Sequence, residues 1–157
     1  MPDKKKNIVE TAIETASAYH RDMYDKYGNP YFEHLERVAN RVREMEYEMV
    51  DETSEINLYV ATAYLHDVIE DTPMWLDEGK NLFGEDVTIA VDLLTRCDEE
   101  TYSDYVGEIK RAKGLSGKIA RVVKMADLLD HLMGPTPCPP HLIKRYEKSL
   151  YALMGRL

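Results

Sequence analysis

The strongest constraint on how this chain can fold is its hydrophobic rhythm. Apolar residues recur every three to four positions from end to end, and no segment sustains the alternation of a half-buried strand. Such a chain buries stripes along helices rather than faces of a sheet, so the expected class is all-α, a bundle of about seven to eight helices. At 157 residues it can bury a core without disulfides or structural metal, and residues 1–157 are expected to form one domain.

The breaks in the rhythm place the helices. The first is expected over roughly 4–24, ending before the turn Gly28-Asn29-Pro30. The second, roughly 33–49, carries Leu35, Val38, Val42 and Met45 along one face. The third, roughly 55–70, is capped by Ser54 and turns Ile56, Tyr59, Val60, Ala63 and Tyr64 inward. Thr72-Pro73 opens a fourth that ends near Gly84, and Val87, Ala90, Val91 and Leu94 mark a fifth. Tyr102 to Lys113 form a sixth, closed by Gly114, and Ser116 starts the next. The seventh, roughly 117–133, is apolar on more than one side and so belongs inside the bundle. A stiff connector, Gly134-Pro135-Thr136-Pro137-Cys138-Pro139-Pro140, leads to a last helix over roughly 140–155.

Composition narrows the partners. A formal charge of −9 repels nucleic-acid backbones, so polymeric nucleic acid is not an expected partner. The same charge means that a phosphate site here must make its own positive field from a metal or from nearby Lys and Arg. No run approaches the roughly 20 apolar residues of a membrane span, and Lys4-Lys5-Lys6 is not followed by an apolar signal segment, so a cytoplasmic protein without membrane contact is expected. Cys97 and Cys138 lack C-x-x-C spacing and suggest neither a disulfide scaffold nor a thiolate metal site.

The residues that can do chemistry fall in three places. His66 and Asp67 are adjacent near the end of the third helix, about 100° apart around its axis, so both reach one ion only at the helix edge between them. Glu70 and Asp71 follow one turn later and set two further carboxylates beside that position. Spacing alone fits a solvated acidic helix end with a core histidine equally well. Asp127, flanked by Val123 and Ala126 in a helix that reads as buried, requires a cation, a metal or a proton; a buried Lys or Arg is the plain partner. His34 starts the second helix just after the Pro30-Tyr31 turn. Together His34, His66, Asp67 and Asp127 supply two imidazoles and two carboxylates, a set suited to a first-row divalent ion with open positions for water or substrate.

Three ordered motifs carry a resemblance: Pro30-Tyr31-Phe32-Glu33-His34, then His66-Asp67-Val68-Ile69-Glu70-Asp71-Thr72, then Val123-Lys124-Met125-Ala126-Asp127. With Phe83-Gly84-Glu85 and Thr101-Tyr102-Ser103-Asp104-Tyr105 between them, residues from about 15 to 133 resemble the hydrolase domain of RelA/SpoT-type alarmone enzymes. The resemblance implies a helical HD-domain fold and a catalytic Mn²⁺, or another first-row divalent ion, on His34, His66, Asp67 and Asp127. It implies a small phosphorylated nucleotide as substrate, with pyrophosphate removed from the 3′ position of guanosine tetra- or pentaphosphate, and Glu70 and Asp71 working beside the metal.

The implied substrate-binding set is Lys26, Tyr31, Asp25 and His131, with Lys26 matching a phosphate-contacting Lys. Two positions depart from the pattern. Asp25 stands where the family has an Arg that stacks on guanine, and His131 replaces a ribose-contacting Asn, preceded by Asp130 in place of a His. Those departures favour an alternative, an HD-type nucleotide phosphatase acting on another small phosphate ester; a metal-binding regulatory module without activity is a further one. An intact Glu70 and Asp71 argue against the module.

Overall fold

The computed structural model describes residues 6–49, 55–68 and 73–155. Its helices are α1 (Ile8–Tyr19), α2 (Phe32–Met49), α3 (Ile56–Leu65), α4 (Pro73–Phe83), α5 (Glu85–Leu93), α6 (Tyr102–Arg111), α7 (Gly114–Met133) and α8 (Pro140–Met154). The all-α expectation is borne out: among the described residues the only extended pairing is an isolated bridge between Tyr24 and Pro30. Ser54 and Thr72, expected as helix caps, lie outside the described residues.

Two helices hold the centre. α3 was expected to bury a stripe, but Tyr59 through Leu65 are buried in an unbroken run, because α1, α2, α5 and α7 all pack against it. α7 matches its expected buried character, with Ile119, Val122, Val123, Met125, Ala126 and Leu128 buried and α2, α5, α6 and α8 around it. The site described below lies between these two central helices and the start of α2.

Several boundaries differ from the periodic reading. α1 begins with a capping box, in which Asn7 Oδ1 accepts from the Glu10 amide and the Asn7 amide donates back to Glu10 Oε2. It stops at Tyr19 rather than near 24, because the next residues pair with the chain returning toward α2. The Asp25 amide donates to the Asn29 carbonyl and the Tyr31 amide to the Met23 carbonyl, while Gly28, at φ 83°, makes the turn. α3 stops at Leu65, so His66 and Asp67 sit in the turn that leaves the helix and not within it. Gly114 does not close α6; Ala112 does, and Gly114, at φ 74°, opens α7 three residues earlier than expected. No helix among the described residues is long and apolar enough to cross a membrane.

Candidate metal centre

Each of the three sequence motifs delivers its side chain from a helix end or a buried helix face. Phe32 stacks on Tyr64, tying the start of α2 to α3, and His34 lies two residues further on, buried. His66 is fixed by the chain leaving α3: its Nδ1 donates to the Ala63 carbonyl at 2.6 Å. Asp127 lies midway along α7, buried between Ala126 and Leu128. The ligating atoms of His34, His66 and Asp127 fall within 4.8 Å of one another. Asp67, the most exposed of the four, places Oδ2 3.2 Å from His66 Nε2 and 3.9 Å from His34 Nε2.

The atoms facing this point are acceptors in want of a cation. Because His66 Nδ1 carries its proton to Ala63, the neutral ring presents a lone pair at Nε2, which is buried with no hydrogen-bond partner among the described residues. That lone pair lies 3.2 Å from an Asp67 oxygen and 3.4 Å from Asp127 Oδ1, at angles that make no hydrogen bond. His34 differs in having partners on both nitrogens: Nδ1 pairs with Asp130 Oδ2 at 2.7 Å and Nε2 with Asp127 Oδ1 at 3.0 Å. With both rings neutral and protonated at Nδ1, two imidazole lone pairs would face carboxylate oxygens, an arrangement that is repulsive unless a divalent ion or protons lie among them. The donor set therefore fits a first-row divalent ion.

Protons are the alternative filling, and the electrostatics show it. Burial works against charge on His34 and His66. The carboxylates of Asp127 and Asp130 for His34, and of Asp67 and Asp127 for His66, outweigh it and hold both imidazoles above their ordinary range. Asp127 feels burial as well, yet Lys124 and the three surrounding imidazoles keep its carboxyl far below the usual carboxylate range.

Three residues with no assigned role in the sequence reading complete the arrangement. Lys124 pairs with Asp127 Oδ2 at 2.9 Å. It is the buried cation that the plain reading of Asp127 called for, and it leaves Oδ1 turned toward His34, His66 and His131. Asp130 orients His34 as a carboxylate behind a metal-binding imidazole does. It is clamped in turn by Arg37 at 2.9 Å, with Arg41 at 3.6 Å; burial opposes its ionisation, but His34 and Arg37 hold it down to about 2. The signal for Asp130 was legible, an acidic residue three positions after Asp127 on the same face, but only the long-range partner His34 gives it a purpose. His20 is buried against the Tyr31 ring with centroids 5.0 Å apart, its Nδ1 3.0 Å from the Met23 sulfur.

The expected substrate-binding residues are divided. Tyr31 reaches the centre, donating its hydroxyl to Asp67 Oδ2 at 2.5 Å, and burial with the Asp67 charge keeps the phenol neutral. It also lines an open cavity of about 600 Å³ with His20, Tyr24 and Asp67. His131 stands beside Asp127 Oδ1 at 3.3 Å and packs between His34 and Tyr146. Asp25 borders a small cavity shared with His34, Arg37 and His131, but its carboxylate is committed to the turn: Oδ1 accepts from the Tyr27 and Asn29 amides and Oδ2 from the Asn29 side chain. Lys26 is exposed, its ammonium 5.2 Å from the Tyr27 ring centroid. Glu70 and Asp71 lie outside the described residues.

A helical bundle that gathers paired His and Asp side chains from α2, the turn after α3 and α7, in this order, defines an HD-type domain. Its relatives agree. The chain is 32% identical over 127 residues to a guanosine-3′,5′-bis(diphosphate) 3′-pyrophosphohydrolase of Aquifex aeolicus, covering 79% of this chain and 17% of that protein. It is 30% identical over 146 residues to a GTP pyrophosphokinase of Myxococcus xanthus, covering 83% of this chain and 18% of the relative. The chain thus spans less than a fifth of the length of these curated relatives. A solved metazoan orthologue of SpoT, described as hydrolysing ppGpp, shares the fold with a TM-score of 0.67 at 21% identity, over 98% of this chain and 89% of that one. No family model matches the sequence. In fold and sequence together, the chain is an HD-type domain akin to the hydrolase domain of RelA/SpoT enzymes.

Proposed function

We propose that this chain is a metal-dependent phosphohydrolase that removes pyrophosphate from the 3′ position of guanosine tetra- or pentaphosphate or a closely related nucleotide. The observation that carries the reading is the buried, partnerless Nε2 of His66, facing two carboxylates and the Nε2 of His34. His34, His66, Asp67 and Asp127 would hold the ion, with Mn²⁺ the ion the family resemblance favours. When bound, such an ion lowers the pKa of a coordinated water and polarises a phosphoryl oxygen.

The chain's own residues do the rest. Lys124 holds Asp127 in place and offsets part of the acidic charge around the ion. Tyr31 orients Asp67 by donating its hydroxyl to Oδ2, the oxygen that faces His66 and His34. The cavity beside Tyr31, His20 and Asp67 is large enough to admit a nucleotide to the exposed side of the centre. Glu70 and Asp71, following closely on Asp67, supply proton handling, and Lys26 with Tyr31 and His131 contact the substrate.

A second reading, an HD-type nucleotide phosphatase releasing orthophosphate, draws support from Asp25. Its carboxylate is engaged in holding the turn, and the position lacks the stacking cation of the family. Incubating metal-loaded protein with a nucleotide panel and assaying pyrophosphate and orthophosphate separately decides between them. The proposal expects pyrophosphate, with Glu70→Gln retaining the ion but losing turnover by ~10²–10⁴-fold. Orthophosphate as sole product supports the second reading, and inertness toward the whole panel removes both.

A further inference from the structure

A second cluster of charge lies outside the metal centre and has no part in the proposed reaction. Between α6 and α8 runs a cleft of about 620 Å³, within the size range of small-molecule sites. Lys110 and Arg111 from α6 line it together with Arg145 and Lys148 from α8, and Asp104 is the one acidic side chain among its lining residues. Four cations against one carboxylate leave a local +3 on a chain whose total is −9. The Lys and Arg ion pairs of the described residues are made by Lys6, Arg37, Arg41 and Lys124. The four cleft cations therefore have no carboxylate within 4.0 Å among those residues.

Two details bear on how the two guanidiniums are placed. The Arg145 guanidinium lies over the Tyr102 ring, 4.8 Å from its centroid, a contact that fixes a long side chain. In mid-α6 stands Gly107, a residue that weakens a helix relative to Ala. A Cβ there would meet the Arg111 guanidinium at 2.9 and 3.4 Å, so the missing methyl lets that guanidinium lie against the helix.

We propose that this cleft is a second ligand site, distinct from the metal centre, for a small molecule bearing two or more phosphate groups. Two guanidiniums and two ammoniums match a short phosphate chain, which presents several charged oxygens at once. The protein's overall negative charge does not prevent this. Screening over about 8 Å at physiological salt leaves a compact ligand exposed mainly to the local field, whereas an extended nucleic acid meets the whole acidic surface. Tyr102 also packs near Lys124, which pairs with Asp127, so binding here must be told apart from an anion on the metal.

Titration calorimetry with tripolyphosphate at low salt, on the protein as purified and after metal removal with EDTA, makes that separation. The proposal expects one tripolyphosphate per chain in both preparations. It also expects at least roughly tenfold weaker binding when the exposed Arg111 and Lys148 are both changed to Glu, with helix content unchanged by circular dichroism. Gly107→Ala should raise the melting temperature yet weaken binding, a combination that a folding defect cannot produce. Absence of binding to the protein as purified overturns the proposal. So does affinity that survives the double charge reversal, or binding that disappears with the metal while the helices remain.

Discussion

Each candidate ligand in this chain is held by a second residue that the linear sequence does not announce. His34 was recognisable from its motif, but its orientation depends on Asp130, 96 residues away, pairing with Nδ1 at 2.7 Å. Asp127 was recognisable as a buried carboxylate in need of a cation, and Lys124 three residues earlier supplies one oxygen's partner. Hydrophobic rhythm and motif spacing reveal which residues are buried or clustered, but a side chain's partner across the bundle depends on how helices pack. Asp130→Asn should therefore leave the helices intact while lowering divalent-ion affinity about 10–100-fold, as losses behind a metal-binding imidazole do. Competition against a fluorescent chelator reads this directly, and an unchanged affinity would make Asp130 a mere partner for Arg37. Asp25 teaches the opposite lesson: the sequence marked it as a change in the nucleotide pocket, and the structure shows a side chain that closes its own turn.

At the scale of elements, the periodic pattern located the helices well where apolar stripes are long, as in α2, α7 and α8, and poorly where a turn intervenes. α1 was expected to run to about residue 24, but Tyr19, Met23 and Tyr24 are exposed and the backbone there pairs with the chain returning toward Tyr31. Gly114 looked like a stop and is a start, since a positive φ serves the sharp link between α6 and α7 either way. That link is tight. A Cβ on Gly117 would lie 2.3 Å from the Ala112 carbonyl oxygen, a backbone atom that cannot yield as a side chain end could. Gly117→Ala should thus destabilise the fold by about 1–3 kcal/mol despite alanine's better helix propensity, measured by chemical denaturation. A stabilised variant would mean that α6 and α7 are joined less closely than described.

Across the whole molecule, the proposed metal would compete with protons for one place. His34 and His66 are held above the ordinary imidazole value of 6.5 when no ion is present. Their protonation therefore stabilises the metal-free fold fully below that value, and this contribution is lost as pH rises through the elevated folded values. The ion has the reverse dependence, because it must displace those protons, so its affinity should climb with pH beyond the range where a free imidazole has finished titrating. Proton release on metal binding at neutral pH, measured by calorimetry in buffers of different ionisation enthalpy, checks this; binding with no proton release would contradict it. Asp130, held down to about 2, adds stability above the usual carboxylate value of 3.8 that fades as pH falls through its lowered one.

The account rests on four side chains, from α2, the turn after α3 and α7, meeting as one metal centre, and metal content tests that most directly. Elemental analysis of the purified protein should find about one first-row divalent ion per chain, and Asp127→Ala should remove it while circular dichroism shows the helices in place. Undiminished metal in Asp127→Ala, or a well-folded wild type that takes up no divalent ion when one is supplied, would contradict the assignment.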